Sequence, residues 1–130
     1  MAMTSTAIQT LRKRADFLRL NRGRRYAARG LVLQVASTPP DVQIDDGALR
    51  LGLTVTKKIG NAVTRNRVRR RLREVAKAVL PVAGKAGHDY VLIARAGALG
   101  RSFEDLVSDL QKALSQVHKP KPSKTSGATS

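Results

Sequence analysis

Residues 57–77, KKIGNAVTRNRVRRRLREVAK, decide how the chain is read. Between Lys57 and Arg73 lie eight bases (Lys57, Lys58, Arg65, Arg67, Arg69, Arg70, Arg71 and Arg73) and no acid. Val68, Leu72, Val75, Ala76 and Val79 fall at the i, i+4, i+7, i+8 and i+11 spacing of one helical stripe. At about 100° per residue, Asn66, Arg70, Arg73 and Lys77 project from the opposite side, flanked by Arg67 and Arg69. Arg65 sits nearer the apolar edge. Gly60-Asn61 supplies a turn residue and an N-cap, and Pro81 is expected to end the helix. Uncompensated arginines repel one another unless a polyanion sits against them. Their planar forks hold two phosphate oxygens at once, which a lysine cannot do.

The strand before this helix is equally plain. In Leu49 to Thr56 the residues Leu49, Leu51, Leu53 and Val55 alternate with Arg50, Gly52, Thr54 and Thr56, giving an apolar face and a small, polar one. The polar face suits either open solvent or a ligand. Further out, Leu31 to Ala36 reads as a strand, with a shorter extended piece at Arg24 to Ala27. His88 to Arg95 is a more continuously apolar, interior strand. Leu11 to Leu20 suits a short helix. Ser102 with Asp105 three residues on starts a last helix, whose stripe is Phe103, Leu106, Val107, Leu110, Leu114 and Val117. Residues 1–10 carry little pattern and are expected to be a flexible N-terminus. Residues 11–117 form one RNA-binding domain, and 118–130, rich in Pro, Ser, Thr and Lys, a disordered tail. The expected fold class is α+β, a two-layer sandwich of helices on one sheet.

A net charge of +16 over 130 residues points to nucleic acid before membrane or acidic protein. A second basic cluster, Arg12 to Arg29, carries eight bases against Asp16 alone. No cysteine is present, so disulfides and thiolate metal sites are excluded. No apolar run approaches the roughly 20 residues of a membrane span, no secretion signal is expected at the start, and the cytoplasm is the expected compartment. The two histidines and nine acids show no metal-ligand or acid–base spacing. Glu74 is expected to pair with Arg70 one turn before it. The residues thus describe an RNA binder whose chemistry belongs to a partner. A DNA-binding helix is disfavoured by the lack of helix-turn-helix spacing, and a membrane-surface helix by an apolar side without Trp or Phe.

The run Thr56 to Arg70, T-K-K-I-G-N-A-V-T-R-N-R-V-R-R, resembles the signature of the bacterial ribonuclease P protein subunit. The resemblance implies an α-β-β-β-α-β-α order, with a central sheet and a left-handed crossover through the basic helix. It implies ribonuclease P RNA and precursor tRNA as partners, removal of the 5′ leader by phosphodiester hydrolysis, and magnesium held mainly by the catalytic RNA. No membrane and no protein partner are implied. Carried over by position, Lys57, Lys58, Asn61, Arg65, Asn66, Arg67, Arg69, Arg70 and Arg73 form the surface for the catalytic RNA. Phe17 matches the first-helix aromatic of the leader-binding cleft, although a core anchor explains it equally well. Many members carry a second aromatic one turn beyond, where this chain has Leu20-Asn21. A structural or ribosomal RNA-binding protein is the alternative reading.

Overall fold

The computed structural model describes residues 7–119. The elements are β1 (Ala7–Thr10), α1 (Arg14–Leu20), β2 (Arg24–Ala27), β3 (Leu31–Ser37), β4 (Ala48–Thr54), α2 (Ala62–Ala83), β5 (His88–Ala94) and α3 (Phe103–Val117). One-turn 3-10 helices occupy Lys57–Ile59 and Ala96–Gly100. The strands form one sheet in the order β1-β4-β5-β3-β2, with α2 making the parallel crossover from β4 to β5. The α+β expectation holds, with one strand added before the first helix.

The continuous apolar run of β5 follows from its central place, because both of its faces are covered. Tyr90, Leu92 and Ala94 join Leu31, Leu33, Leu49 and Leu51 in the main core beneath α2 and α3. Val91 belongs instead to a smaller cluster with Leu11 and Leu20, against which Phe17, Ala36 and Ile93 pack. The first helix therefore covers part of the opposite sheet face. All five residues of the α2 stripe are buried, together with Leu80.

Three local expectations need correction. Residues 7–10 are not loose: β1 pairs in parallel with the edge of β4, from Ala7 opposite Ala48 to Thr10 opposite Leu51. The pairing edge lies on β4, so a four-residue segment carries little signal of its own. Gln9 also donates to Asp45 Oδ2 at 3.0 Å, and Ile8 packs on the main core. Pro81 does not end α2, which continues to Ala83 and closes with the Gly84 N–H on Leu80 O at 2.8 Å. Proline gives up its own amide donor and crowds the carbonyl four residues back, but its fixed φ is helical and only the last two residues of α2 follow it. Phe103 is exposed rather than buried, because it occupies the first position of α3, where side chains lean toward the helix N-terminus and off the core. The capping at Ser102 is as expected, with its Oγ accepting from Asp105 N–H at 3.0 Å. Of the supposed tail, His118 and Lys119 are ordered at the end of α3 and residues 1–6 and 120–130 lie outside the described chain.

A buried carboxylate fixes α1 on its sheet face. Asp89, on β5, has no exposed side-chain surface. Arg50 grips it with both arms, Nε to Oδ1 at 2.8 Å and Nη2 to Oδ2 at 2.6 Å. Thr38 Oγ1 donates at 2.7 Å, and Arg19 of α1 donates to Oδ2. Asp16 of α1 sits 3.4 Å from Arg50 and 3.5 Å from Arg19. Burial pushes the Asp89 carboxyl upward, but the hydrogen bonds from Arg50, Thr38 and Arg19 outweigh it, and the group lies below the usual carboxylate range.

Its folded pKa is thus depressed, so its contribution is complete above the unfolded value near 4 and is lost as pH falls through the folded one. Urea melts at pH 7 should show Asp89→Asn destabilised by about 3–5 kcal/mol, since it breaks a buried ion pair and leaves Asp16 alone to face two arginines. The deficit against the parent should shrink between pH 4 and pH 2. A deficit that is constant across this range means that the ion pairs are not the source.

Candidate nucleic-acid interface

The cationic side of α2 begins with a fixed turn. Gly60 has φ of 155°, and a Cβ there would stand 2.9 Å from Thr64 Cγ2. The next residue caps the helix, Asn61 Oδ1 accepting from Thr64 N–H at 2.9 Å. Beyond it Asn66, Arg67, Arg70, Arg73 and Lys77 are exposed, as are Asn61, Lys57 and Lys58 before the helix. Arg65 and Arg69 are half-buried. Arg65 Nε donates to Gly60 O at 3.2 Å, bracing the turn, and Arg69 Nη1 donates to Asn66 Oδ1 at 3.1 Å. Of the nine residues of the expected RNA surface, seven are therefore exposed, and Arg65 and Arg69 are half-buried.

Among the described residues, ion pairs engage Arg19, Arg50 and Arg101, and none forms on α2. Glu74 makes no pair with Arg70, contrary to expectation; both side chains are exposed, where such a pair adds only a few tenths of a kcal/mol. Arg71 behaves differently from its neighbours. It is half-buried and donates to Arg101 O at 3.0 Å, tying α2 to the segment before α3.

The Phe17 ring rests on the polar face of β4. A Cβ at Gly52 would come within 2.5 Å of Phe17 Cζ, so glycine is what admits the ring. Two hollows meet at this aromatic. One, of about 360 Å³, lies where β1 ends beside β4; its apolar side includes Leu11, Phe17 and Leu53, and its charged side Arg69, Arg73 and Lys77. The other, of about 230 Å³, runs between α1 and the sheet and is lined by Arg14, Phe17, Leu18, Asn21, Gln34 and Thr54. Sequence reasoning set Phe17 and the α2 arginines on separate surfaces, whereas the fold brings them to a shared cleft. It also passed over Lys77, whose place on the helix front was the available signal. At the position of the missing second aromatic, Leu20 is buried and Asn21 accepts from Gln34 Nε2 at 3.0 Å.

A second group of titratable side chains lies at the end of α3. The Tyr90 hydroxyl accepts from the Lys85 N–H at 2.9 Å and meets His118 Nε2 at 2.6 Å, so the tyrosine donates to a neutral imidazole. Burial raises Tyr90 to about 12. Burial, followed by the charges of Lys85, His88 and Arg24, lowers His118 to about 4. His118 is thus a buried tyrosine's partner rather than a tail residue. No three His, Asp or Glu side chains among the described residues gather as metal ligands. Asp89 and Asp109, the two buried acids, spend their oxygens on arginines. The described chain therefore offers magnesium no built site. No helix among the described residues is long and apolar enough to cross a membrane.

Comparison with known proteins agrees with this geometry. Residues 6–118 match the family model described as Ribonuclease P. The chain is 47% identical over 119 residues to a ribonuclease P protein component of Ruegeria pomeroyi, covering 91% of this chain and 93% of that one. It is 50% identical over 112 residues to the protein component of Paramagnetospirillum magneticum, covering 85% and 83%. The solved RNase P protein of Staphylococcus aureus superposes with a TM-score of 0.67 at 30% identity, covering 84% of this chain and 94% of that one. That of Thermotoga maritima gives 0.68 at 27% identity, covering 85% and 99%. With a basic helix, a supporting sheet and relatives matched over most of their length, the chain belongs to the ribonuclease P protein family.

Proposed function

We propose that the chain is the protein subunit of a ribonucleoprotein endoribonuclease, docking on the catalytic RNA through α2 and holding the 5′ leader of precursor tRNA in the Phe17 cleft. One observation carries this reading. The exposed row of α2 runs directly into a cleft with an aromatic side and a guanidinium side, so one surface can bind a folded RNA while its rim holds a single strand. Lys57, Lys58, Asn61, Arg65, Asn66, Arg67 and Arg70 serve the RNA subunit, and Arg69 and Arg73 reach both. A base can rest against the Phe17 ring while Arg69, Arg73 and Lys77 meet the flanking phosphates.

The protein's contribution is positional and electrostatic. Arginine and lysine bring two polyanions together and lower their repulsion, and the cleft orients the leader relative to the scissile bond. In this reading the magnesium that such hydrolysis uses is held by the RNA, which agrees with the lack of a cluster of metal-ligating side chains among the described residues. The deciding experiment adds the full chain to a bacterial ribonuclease P RNA and precursor tRNA at low magnesium. Leader removal should accelerate. No acceleration, with folded protein, overturns the reading.

Two outcomes refine it. Arg67→Ala with Arg70→Ala, both outside the 360 Å³ cleft, should weaken binding to the catalytic RNA and reduce the slope of log K against log salt by about 0.9 per lost phosphate contact. Phe17→Ala should spare that affinity and lower the preference for precursor over mature tRNA by about 5- to 150-fold, the range of one stacked base. Equal loss for both tRNAs, or loss of stability alone, assigns Phe17 to the core. Separately, the purified protein without RNA should not cleave precursor tRNA at any magnesium concentration. Cleavage abolished by replacing one of its own acids excludes an RNA-borne active centre.

A further inference from the structure

A further hollow lies away from the leader cleft, at the other edge of the sheet. It has a volume of about 850 Å³ and sits between the β2–β3 turn, the Ala96–Gly100 segment and α3. Arg29, Arg95, Arg101 and Lys112 line it, with Tyr26 at one wall. Asp109 is the only acid in the lining. Its Oδ2 takes the Gly30 N–H at 3.1 Å and Arg101 Nε at 2.6 Å, and its Oδ1 takes Arg101 Nη2 at 2.8 Å. Four cations against one acid leave the groove at +3, and Arg29, Arg95 and Lys112 are exposed. Arg95 gives one N–H to Ala28 O at 2.7 Å, which holds its guanidinium at the groove rather than out in solvent.

The groove joins the α2 surface. Arg71 donates to Arg101 O, and a hollow of about 120 Å³ lined by Arg67, Arg71 and the half-exposed Leu99 lies along the same path. Cations thus continue from Arg67 on α2, past Leu99, to Arg101 and the groove. The groove and the leader cleft flank opposite edges of a five-stranded sheet, so four strand spacings of about 4.8 Å, on the order of 19 Å, separate them. An extended folded polyanion resting on α2 reaches the groove along the path of Arg67, Leu99 and Arg101.

We infer that the surface for the catalytic RNA extends over the Ala96–Gly100 segment into this groove, where Arg29, Arg95 and Lys112 contact RNA phosphates beside Tyr26. The inference rests on the α2 docking reading. Concentrated positive charge with no free carboxylate in the lining fits a phosphate backbone, and the open groove lacks the predominantly apolar, aromatic lining of a metabolite pocket.

The test pairs Arg29→Ala with Lys112→Ala in the full chain. Neither side chain takes part in an ion pair or hydrogen bond of the described residues, so the melting temperature should not move. Binding to ribonuclease P RNA is titrated across salt beside the Arg67→Ala/Arg70→Ala variant. The groove variant should lower the log–log slope by about 1.4–1.8 and the affinity near 0.15 M salt by roughly 15- to 30-fold, with both restored by Arg29→Lys/Lys112→Arg. Affinity and slope equal to the parent's, while the α2 variant binds poorly, overturn the extension and leave α2 docking intact. Loss confined to precursor tRNA binding also overturns it, assigning the groove to substrate. If the α2 variant binds like the parent, the docking reading fails and the extension falls with it.

Discussion

A carboxylate with no access to water organises this fold. Asp89 collects Arg50 from the neighbouring strand, Thr38 from the end of β3 and Arg19 from α1, and Asp16 closes the ring of charge from the helix side. An isolated buried charge costs several kcal/mol, so the arrangement is tolerable only with every oxygen satisfied. What it fixes is position. The opposite sheet face has a small core, built from Leu11, Leu20 and Val91, and a seven-residue helix could slide on so little apolar surface. Two side chains of α1 tied to one buried acid remove that freedom. Phe17 lies between Asp16 and Arg19, so its place over Gly52 follows from the ion pairs as much as from its own packing.

The larger helix solves a different problem. Placing many cations on one side of α2 costs about 0.2–0.5 kcal/mol for each like-charged pair one turn apart. Each fully buried Leu or Val on the other side contributes about 1.5–3 kcal/mol, and six residues of α2 are buried. Burial outweighs repulsion, so the cations can stay uncompensated and available. The acids are spent elsewhere: Asp89 and Asp109 neutralise arginines that hold elements together, leaving the exposed arginines to a ligand.

The legible parts of the chain are those whose signal is local. The α2 stripe, the alternation of β4, the continuous β5 and the Ser102 cap each follow from residues a few positions apart. The exposed cationic row of α2 was readable for the same reason, since one helix carries it. What escaped is long-range. The Asp89 contacts join residues separated by 39, 51 and 70 positions, and Gly30 meets Asp109 across 79. Nothing in the sequence AIQT announces that β4 has a free edge, and nothing in a Lys- and Pro-rich tail announces that Tyr90 needs a partner. The cleft was half visible: Phe17 and Arg73 each stood out, but their meeting depends on where α1 lands.

The composition of that cleft fits the ligand proposed for it. A stacking platform needs several rings, and here one aromatic stands beside a glycine, three leucines and three cations. Such a surface takes hold of features common to every single strand, a π-face and a phosphate backbone. Among base-edge readers the 360 Å³ hollow offers Arg69 and Arg73, which can hold a phosphate or a guanine edge, and has no Asn, Gln, Asp or Glu in its lining. The neighbouring 230 Å³ hollow has Asn21 and Gln34, but the hydrogen bond between them uses part of their capacity. Under the proposed function, leaders that differ in sequence would be held by what they share, and discrimination between precursor and mature tRNA would come from the presence of a strand in the cleft.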